Sequence, residues 1–167
     1  MDRYSLDRIY QAYFKDVYRY LFSLCLHHHT TQDLVQETFY RAYLHLEICK
    51  DEKVKPWLFR VAYNVFIDWK RKDNRSLVLD NSFFHHLADP NNPEEQMLRL
   101  EQINEIRSII SSLPEQQKQA ILLHDFGGLT YQEAADIMGV RLSQFKILLF
   151  RARQKLRRHN ERTELDE

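Results

Sequence analysis

Two segments of this 167-residue chain carry side chains whose types and spacing suit a polyanion. In the segment opened by Pro56, helical spacing puts Arg60, Tyr63, Asn64, Ile67, Lys70 and Arg71 on one outer face. Cations neutralise phosphate, a planar amide can hydrogen-bond a base edge, and an aromatic ring can stack on a base taken out of its duplex. A solvated helix face would carry similar charges, so this stretch alone does not decide between the two. The second segment runs from about Leu142 to Arg158 and carries Lys146, Arg151, Lys155 and Arg158 along one side. It follows a short segment, Tyr131 to Met138, and a turn through Gly139, Val140 and Arg141. A short helix, a glycine turn and a longer basic helix form a helix-turn-helix, whose second helix lies in the DNA major groove. A surface for a protein partner is the alternative for such a cationic helix.

Bond-making chemistry is harder to assemble. No glycine-rich phosphate loop, nucleophile elbow or paired-carboxylate pattern is present, and three glycines leave little material for one. Neither enzymatic activity nor a cofactor is expected. His27, His28 and His29 are consecutive, which on a helix points them about 100 degrees apart and prevents all three from ligating one metal. Only a pairing across the fold with His85 or His86 would make a metal site, and none is expected. Cys25 and Cys49 match no C-x-x-C spacing and read as small apolar fillers.

The elements that position these faces are all helical. Leu6, Tyr10, Tyr13, Val17, Leu21 and Leu24 recur at spacings of three and four and predict an amphipathic helix over 5–26. Thr30 with Asp33 resembles a capping pair for a second helix reaching about residue 48, with Leu34, Val35, Thr38, Phe39, Ala42 and Leu46 inward. Its outer face carries Asp33, Gln36, Glu37, Tyr40 and Arg41, where Glu37 and Arg41 are spaced to pair. Leu58, Val61, Ala62, Val65 and Trp69 are the expected inner positions of the third helix. A further helix follows Asn92, Pro93 and Glu95, with Ile103, Ile106, Ile110 and Leu113 inward. Pro114 opens another that ends at Gly127 and Gly128, and Thr130 with Glu133 forms a capping box for the next. Phe145, Leu148, Leu149, Ala152 and Leu156 form the apolar side of the last helix. No segment sustains a period-two pattern, so the fold class is all-α.

Charge divides the chain further. The 24 Lys and Arg balance the 24 Asp and Glu overall. Residues 1–75 nevertheless hold 13 basic and 10 acidic groups, 76–117 hold 2 and 7, 118–160 hold 8 and 3, and 161–167 hold 1 and 4. Two basic blocks separated by an acidic stretch fit two surfaces facing a polyanion and a tether repelled by it. Turn-forming residues from Ser76 to Asn92, around the apolar island Phe83, Phe84 and Leu87, mark that tether as a linker. No apolar run approaches the roughly 20 residues of a membrane span, and no leader pattern is present, so the cytoplasm is the expected compartment.

Five stretches then carry a resemblance: Asp33 to Phe39 (DLVQETF), Pro56 to Asp68 (PWLFRVAYNVFID), Leu113 to Glu115 (LPE), Leu129 to Gly139 (LTYQEAADIMG) and Phe150 to Leu156 (FRARQKL). In order and spacing the chain resembles the extracytoplasmic-function (ECF) sigma factors of bacterial RNA polymerase, of the sigma-70 family, over nearly its whole length. The resemblance implies two small helical domains joined by a flexible linker. Residues 1–75 would bind polymerase and recognise the −10 promoter element, 76–104 would be the linker, 105–160 would hold the helix-turn-helix that recognises the −35 element, and 161–167 would be an acidic tail.

Carried over by position, the resemblance puts the polymerase clamp on Asp33, Gln36, Glu37 and Arg41. It puts −10 DNA on Arg60, Tyr63, Asn64, Lys70 and Arg71, with Asn64 at the position that holds a flipped non-template base. It puts −35 DNA on Arg141, Lys146, Ile147, Phe150 and Arg151. The implied partners are core RNA polymerase, through its clamp and flap regions, promoter DNA, and an anti-sigma factor of the kind that is often membrane-anchored. Four residues depart from the family pattern. Tyr63 replaces a common Arg and Arg141 a common serine cap, while Ile147 and Leu148 replace common Ser and Arg, removing up to two polar DNA contacts. A helix-turn-helix regulator binding DNA unaided and a metal-dependent enzyme built on the histidines are the competing classes.

Overall fold

A computed structural model describes residues 5–47, 49, 53–72 and 106–165. The linker, the Asn92–Pro93–Glu95 helix start, Ile103, His85 and His86 lie outside them. The described residues form α1 (Leu6–Cys25), α2 (His28–Leu44), α3 (Val54–Lys72), a helical stretch at 106–112, α4 (Glu115–Ile121), a π-helical turn (Leu122–Phe126), α5 (Tyr131–Met138) and α6 (Leu142–Leu165). No strand occurs among them, as the missing period-two pattern predicts.

In the N-terminal unit α1 packs on α2 and α3, and α2 on α3. Val17, Leu21, Phe22, Leu24, Leu58, Phe59 and Phe66 are its most deeply buried apolar side chains. The buried stripe of α1 is wider than spacing alone implies, since Ile9, Tyr18 and Phe22 join it while Tyr10 stays exposed at its edge. Tyr10 there meets Phe14 and Phe39, each with ring centroids 4.9 Å apart. On α3, Trp57, Phe59 and Phe66 are buried, whereas Val61 and Trp69 are only partly so. Leu26 ends α1 in the left-handed region (φ 58°), its N–H donating to Phe22 O at 2.8 Å. A side chain with a Cβ costs about 1 kcal/mol there.

The cap of α2 differs from the expected one. His27, not Thr30, is the N-cap: its Nδ1 accepts from the Thr30 N–H at 3.3 Å. An unprotonated imidazole nitrogen can replace a carboxylate or hydroxyl as acceptor, and this starts the helix three residues early. The neighbouring His28 Nδ1 is hydrogen-bonded to Tyr18 Oη. Among the described residues no group of three His, Cys, Asp or Glu is placed to hold a metal. Both cysteines are buried and unbridged, and burial pushes the Cys25 thiol up to about 12.

In the C-terminal unit α4 packs on α6, and α5 touches both. The expected capping box is present: Thr130 Oγ1 accepts from the Glu133 N–H at 3.1 Å, and Glu133 Oε1 accepts from the Thr130 N–H at 3.0 Å. Gly139 ends α5 at φ 66°, a conformation in which glycine alone carries no Cβ penalty. The helix from Pro114 does not stay α-helical to Gly127. Its last five residues widen into a π turn closed by Gly127 N–H to Leu122 O at 2.8 Å. Any Cβ on Gly127 would lie 2.7 Å from Leu123 O, so the turn requires glycine there. Helix α6 runs to Leu165, past the expected end at Arg158 and into the acidic segment.

The two units touch. Tyr20 Oη of α1 donates to Gln119 Oε1 of α4 at 2.6 Å, fully buried, and burial raises the Tyr20 pKa well above its ordinary value. Lys70 Nζ of α3 lies 2.9 Å from Glu115 Oε2, and α5 packs on α3. The Arg107 guanidinium sits 4.3 Å from the centroid of the Phe22 ring, and burial lowers its pKa to about 10. Beside this contact is a cavity of about 460 Å³, walled by Tyr20, Phe59, Ile110 and Leu122. Ile106 lines it at 44 % exposure, so it is not the core position that its spacing suggests.

Candidate nucleic-acid interface

Three helix faces display the residues singled out above. On α2, Asp33, Gln36 and Glu37 are exposed on the face opposite the buried Leu34, Val35, Thr38 and Phe39. Arg41 is partly exposed and held from two sides, its Nε donating to Glu37 Oε1 at 2.9 Å and its Nη1 to Asp68 Oδ2 at 2.8 Å. These hydrogen bonds raise its pKa and tie α2 to α3, so Arg41 anchors the face as well as forming part of it. Tyr40, Tyr43 and Leu44 are also exposed here. Tyr43 and Leu44 stand between the inward positions Ala42 and Leu46, off the apolar stripe.

On α3, Asn64, Lys70 and Arg71 are exposed, and Arg60, Tyr63 and Ile67 are half-buried. Buried Ala62, Val65 and Phe66 hold the opposite side against the core, which leaves Asn64 on the outward side of the helix. Burial and the nearby Glu115 carboxylate raise the Tyr63 pKa, so its hydroxyl stays protonated and able to donate. The basic last turn, Lys70 to Lys72, also suits the negative end of the helix dipole.

On α6, Phe145, Leu148, Leu149 and Ala152 are buried against α4 and α5. The opposite side exposes Arg141, Lys146, Ile147, Phe150, Arg151, Lys155 and Arg158. Leu148, at 8 % exposure, belongs to the core, so the expected loss of a polar DNA contact at that position is corrected. Ile147 beside it is exposed. Arg153 does not join the cationic face. Its Nε and Nη2 reach the Asp125 carboxylate at 3.0 and 2.5 Å, clamping α6 to the π turn. This pairing raises its pKa further. A bond across 28 residues has no local sequence signal.

Placed together, α5, the turn at Gly139 and α6 form a helix-turn-helix whose outward face is cationic, and the α3–α5 contact sets it beside the α3 face. Nothing in either face provides a nucleophile with a base beside it. The arrangement can bind phosphate, donate to base edges and stack.

Comparison with known proteins agrees with this geometry. Residues 9–76 match sigma-70 region 2 and residues 103–156 match sigma-70 region 4. The chain is 40 % identical over 154 residues to the ECF RNA polymerase sigma factor SigM of Bacillus subtilis, covering 92 % of this chain and 93 % of that one. It is 29 % identical over 160 residues to the RNA polymerase sigma factor YlaC of the same organism, covering 94 % and 92 %. The fold is shared with the sigma factor RpoE of Bartonella quintana, solved with the anti-sigma factor NepR, at a TM-score of 0.71 and 21 % identity over 93 % of this chain and 96 % of that one. It is also shared with CnrH, solved with the cytosolic domain of CnrY, at a TM-score of 0.69 and 20 % identity over 97 % and 89 %.

Proposed function

The chain belongs to the extracytoplasmic-function sigma factors of the sigma-70 family, and from that premise we propose how its three exposed faces divide the work of transcription initiation. As a sigma factor it binds core RNA polymerase and recognises promoter DNA. The α2 face, through Asp33, Gln36, Glu37 and Arg41, engages the polymerase clamp. The α3 face takes the −10 element as it melts: Asn64 holds a flipped non-template base, Tyr63 stacks beside it, and Arg60, Lys70 and Arg71 track the backbone. Unstacking a base costs a few kcal/mol, which such contacts can offset. Helix α6 reads the −35 duplex from the major groove through Arg141, Lys146, Ile147, Phe150 and Arg151.

The boundaries that go with this division are 1–75, a linker at 76–104 near the polymerase RNA exit path, 105–160 with its contact to the flap, and an acidic tail at 161–167. The linker's net negative charge supports a role as a nucleic-acid mimic over one as a DNA binder. The observation that carries the reading is the pairing of an exposed amide within a basic α3 face with an exposed cationic face on the second helix of a helix-turn-helix. Sigma factors are not enzymes, and we assign no catalytic activity to this chain.

An anti-sigma factor, free or membrane-anchored, is the regulatory partner we assign, supported by the RpoE relative solved with NepR. The setting is the cytoplasm, where core polymerase and promoter DNA are found, and the target is a stress-type regulon. No helix among the described residues is long and apolar enough to cross a membrane. Run-off transcription with bacterial core polymerase on a pool of promoter fragments tests the whole reading. Start sites that share two spaced elements are the expected result, with weak binding of the isolated chain to duplex DNA. No transcription, together with tight salt-dependent binding by the chain alone, would instead establish an independent regulator.

A further inference from the structure

The outward face of α6 is not uniformly polar. Ile147 and Phe150 are 51 % and 60 % exposed, between Lys146 and Arg151, which are exposed as well. Three residues apart on a helix they are neighbours, displaced about 4.5 Å along the axis and about 60 degrees around it. Successive bases on one DNA strand are spaced by about 3.4 Å, so two side chains set this way meet adjacent base pairs. The major groove displays one apolar group on its floor, the C5-methyl of thymine. Lys146 and Arg151 flank the pair with positive charge, which identifies the occupant of the face as a polyanion rather than an apolar protein groove.

We propose that Ile147 and Phe150 form a clamp for the 5-methyl groups of adjacent pyrimidines, so that the −35 specificity of this chain depends on methyls at one or two positions. The inference rests on the reading of α6 as the −35 helix and adds the chemical group that it reads. Ile147 has no hydrogen bond to offer a base edge. It discriminates by burying its own surface against a methyl, and it leaves an unmethylated pyrimidine facing an unfilled gap.

Deoxyuridine differs from thymidine by that methyl alone and pairs identically. The test uses the chain assembled with core polymerase on a promoter taken from the transcription pool, with −35 thymines replaced one at a time by deoxyuridine. Occupancy is expected to fall about four-fold for each methyl that is read, the value of one buried methyl-sized group. Ile147→Ala and Phe150→Ala are expected to abolish that thymine-to-uracil difference while leaving polymerase binding unchanged, and Ile147→Val to retain part of it. A −35 footprint with no sensitivity to uracil anywhere in the element overturns the clamp and leaves the −35 reading standing. Absence of any −35 footprint removes that reading and the clamp with it. Weakened polymerase binding in both alanine variants, with the uracil difference intact once polymerase is saturated, overturns the clamp by making the pair a protein contact.

Discussion

The two candidate DNA faces differ in composition and in how freely they are presented. The α3 face offers one amide, one tyrosine and three cations, with Arg60 and Tyr63 half-buried and Glu115 of the other unit paired to Lys70. The α6 face offers cations around two apolar side chains and stands wholly outside the packed interior. A face that must stack and hydrogen-bond a single base needs a wall behind it, and the half-buried Tyr63 beside the exposed Asn64 supplies one. A face that slides into a groove about 12 Å wide needs clearance instead. As folded here, α6, the helix proposed to read the duplex, is open to solvent, and α3, proposed to capture the strand, is partly occupied by the other unit.

That contrast can be broken at α3. Asn64→Ala is expected to lower promoter opening about ten- to a hundred-fold, the loss of one good base contact of about 1–3 kcal/mol, while polymerase binding is preserved. Permanganate footprinting beside a core-binding titration separates the two. Glu37→Lys is expected to do the reverse, weakening core binding roughly ten-fold by reversing a charge on the face proposed to meet the clamp, with opening normal once polymerase is saturated. Equal losses of both activities in each variant would sink the proposed division of labour.

Smaller effects sharpen the comparison through the contact between units. Tyr20→Phe leaves Gln119 Oε1 buried without its donor and is expected to cost about 1–2 kcal/mol in thermal unfolding. The same variant has a signature at high pH. Because the folded state raises the Tyr20 pKa, its contribution is fully present below about pH 10 and is lost as pH rises through the folded value. The wild type should therefore lose stability above about pH 10 more steeply than Tyr20→Phe. Arg107, lowered to about 10, acts in the opposite sense over the same window and is common to both proteins. Thr130→Ala is expected to cost about 1 kcal/mol through the lost capping box, with hydrogen exchange rising at α5 rather than α2.

Much of this was legible in the sequence because its cause is local. The periods of α1 to α3, the capping box at Thr130 and the left-handed Gly139 depend on residues within a few positions of one another. His27 was not legible as a cap because its acceptor role depends on tautomer and on the approach of Thr30. The π turn was hidden because it rests on contacts with α1 and α5 and on the Arg153 clamp, all distant in sequence, rather than on any residue preference in Leu122–Phe126. Leu148 and Ile147 are adjacent and equally apolar, and the helical period through Phe145, Leu149 and Ala152 already sends one inward and the other out. Tyr20 and Gln119, 99 positions apart, have no signature at all until the chain is folded.

The Lys70–Glu115 pair carries a consequence for how DNA binding responds to ionic strength. A free lysine that reaches a phosphate displaces a condensed cation, and each such contact steepens the dependence of affinity on salt by close to one unit of log–log slope. Glu115 acts as a built-in counterion that must be exchanged for the phosphate, and added salt weakens that internal pair as it weakens the external one. The two responses oppose each other at this single residue, so with Lys70 on the DNA backbone as proposed above, affinity for melted DNA would fall less steeply with salt than the count of cations implies.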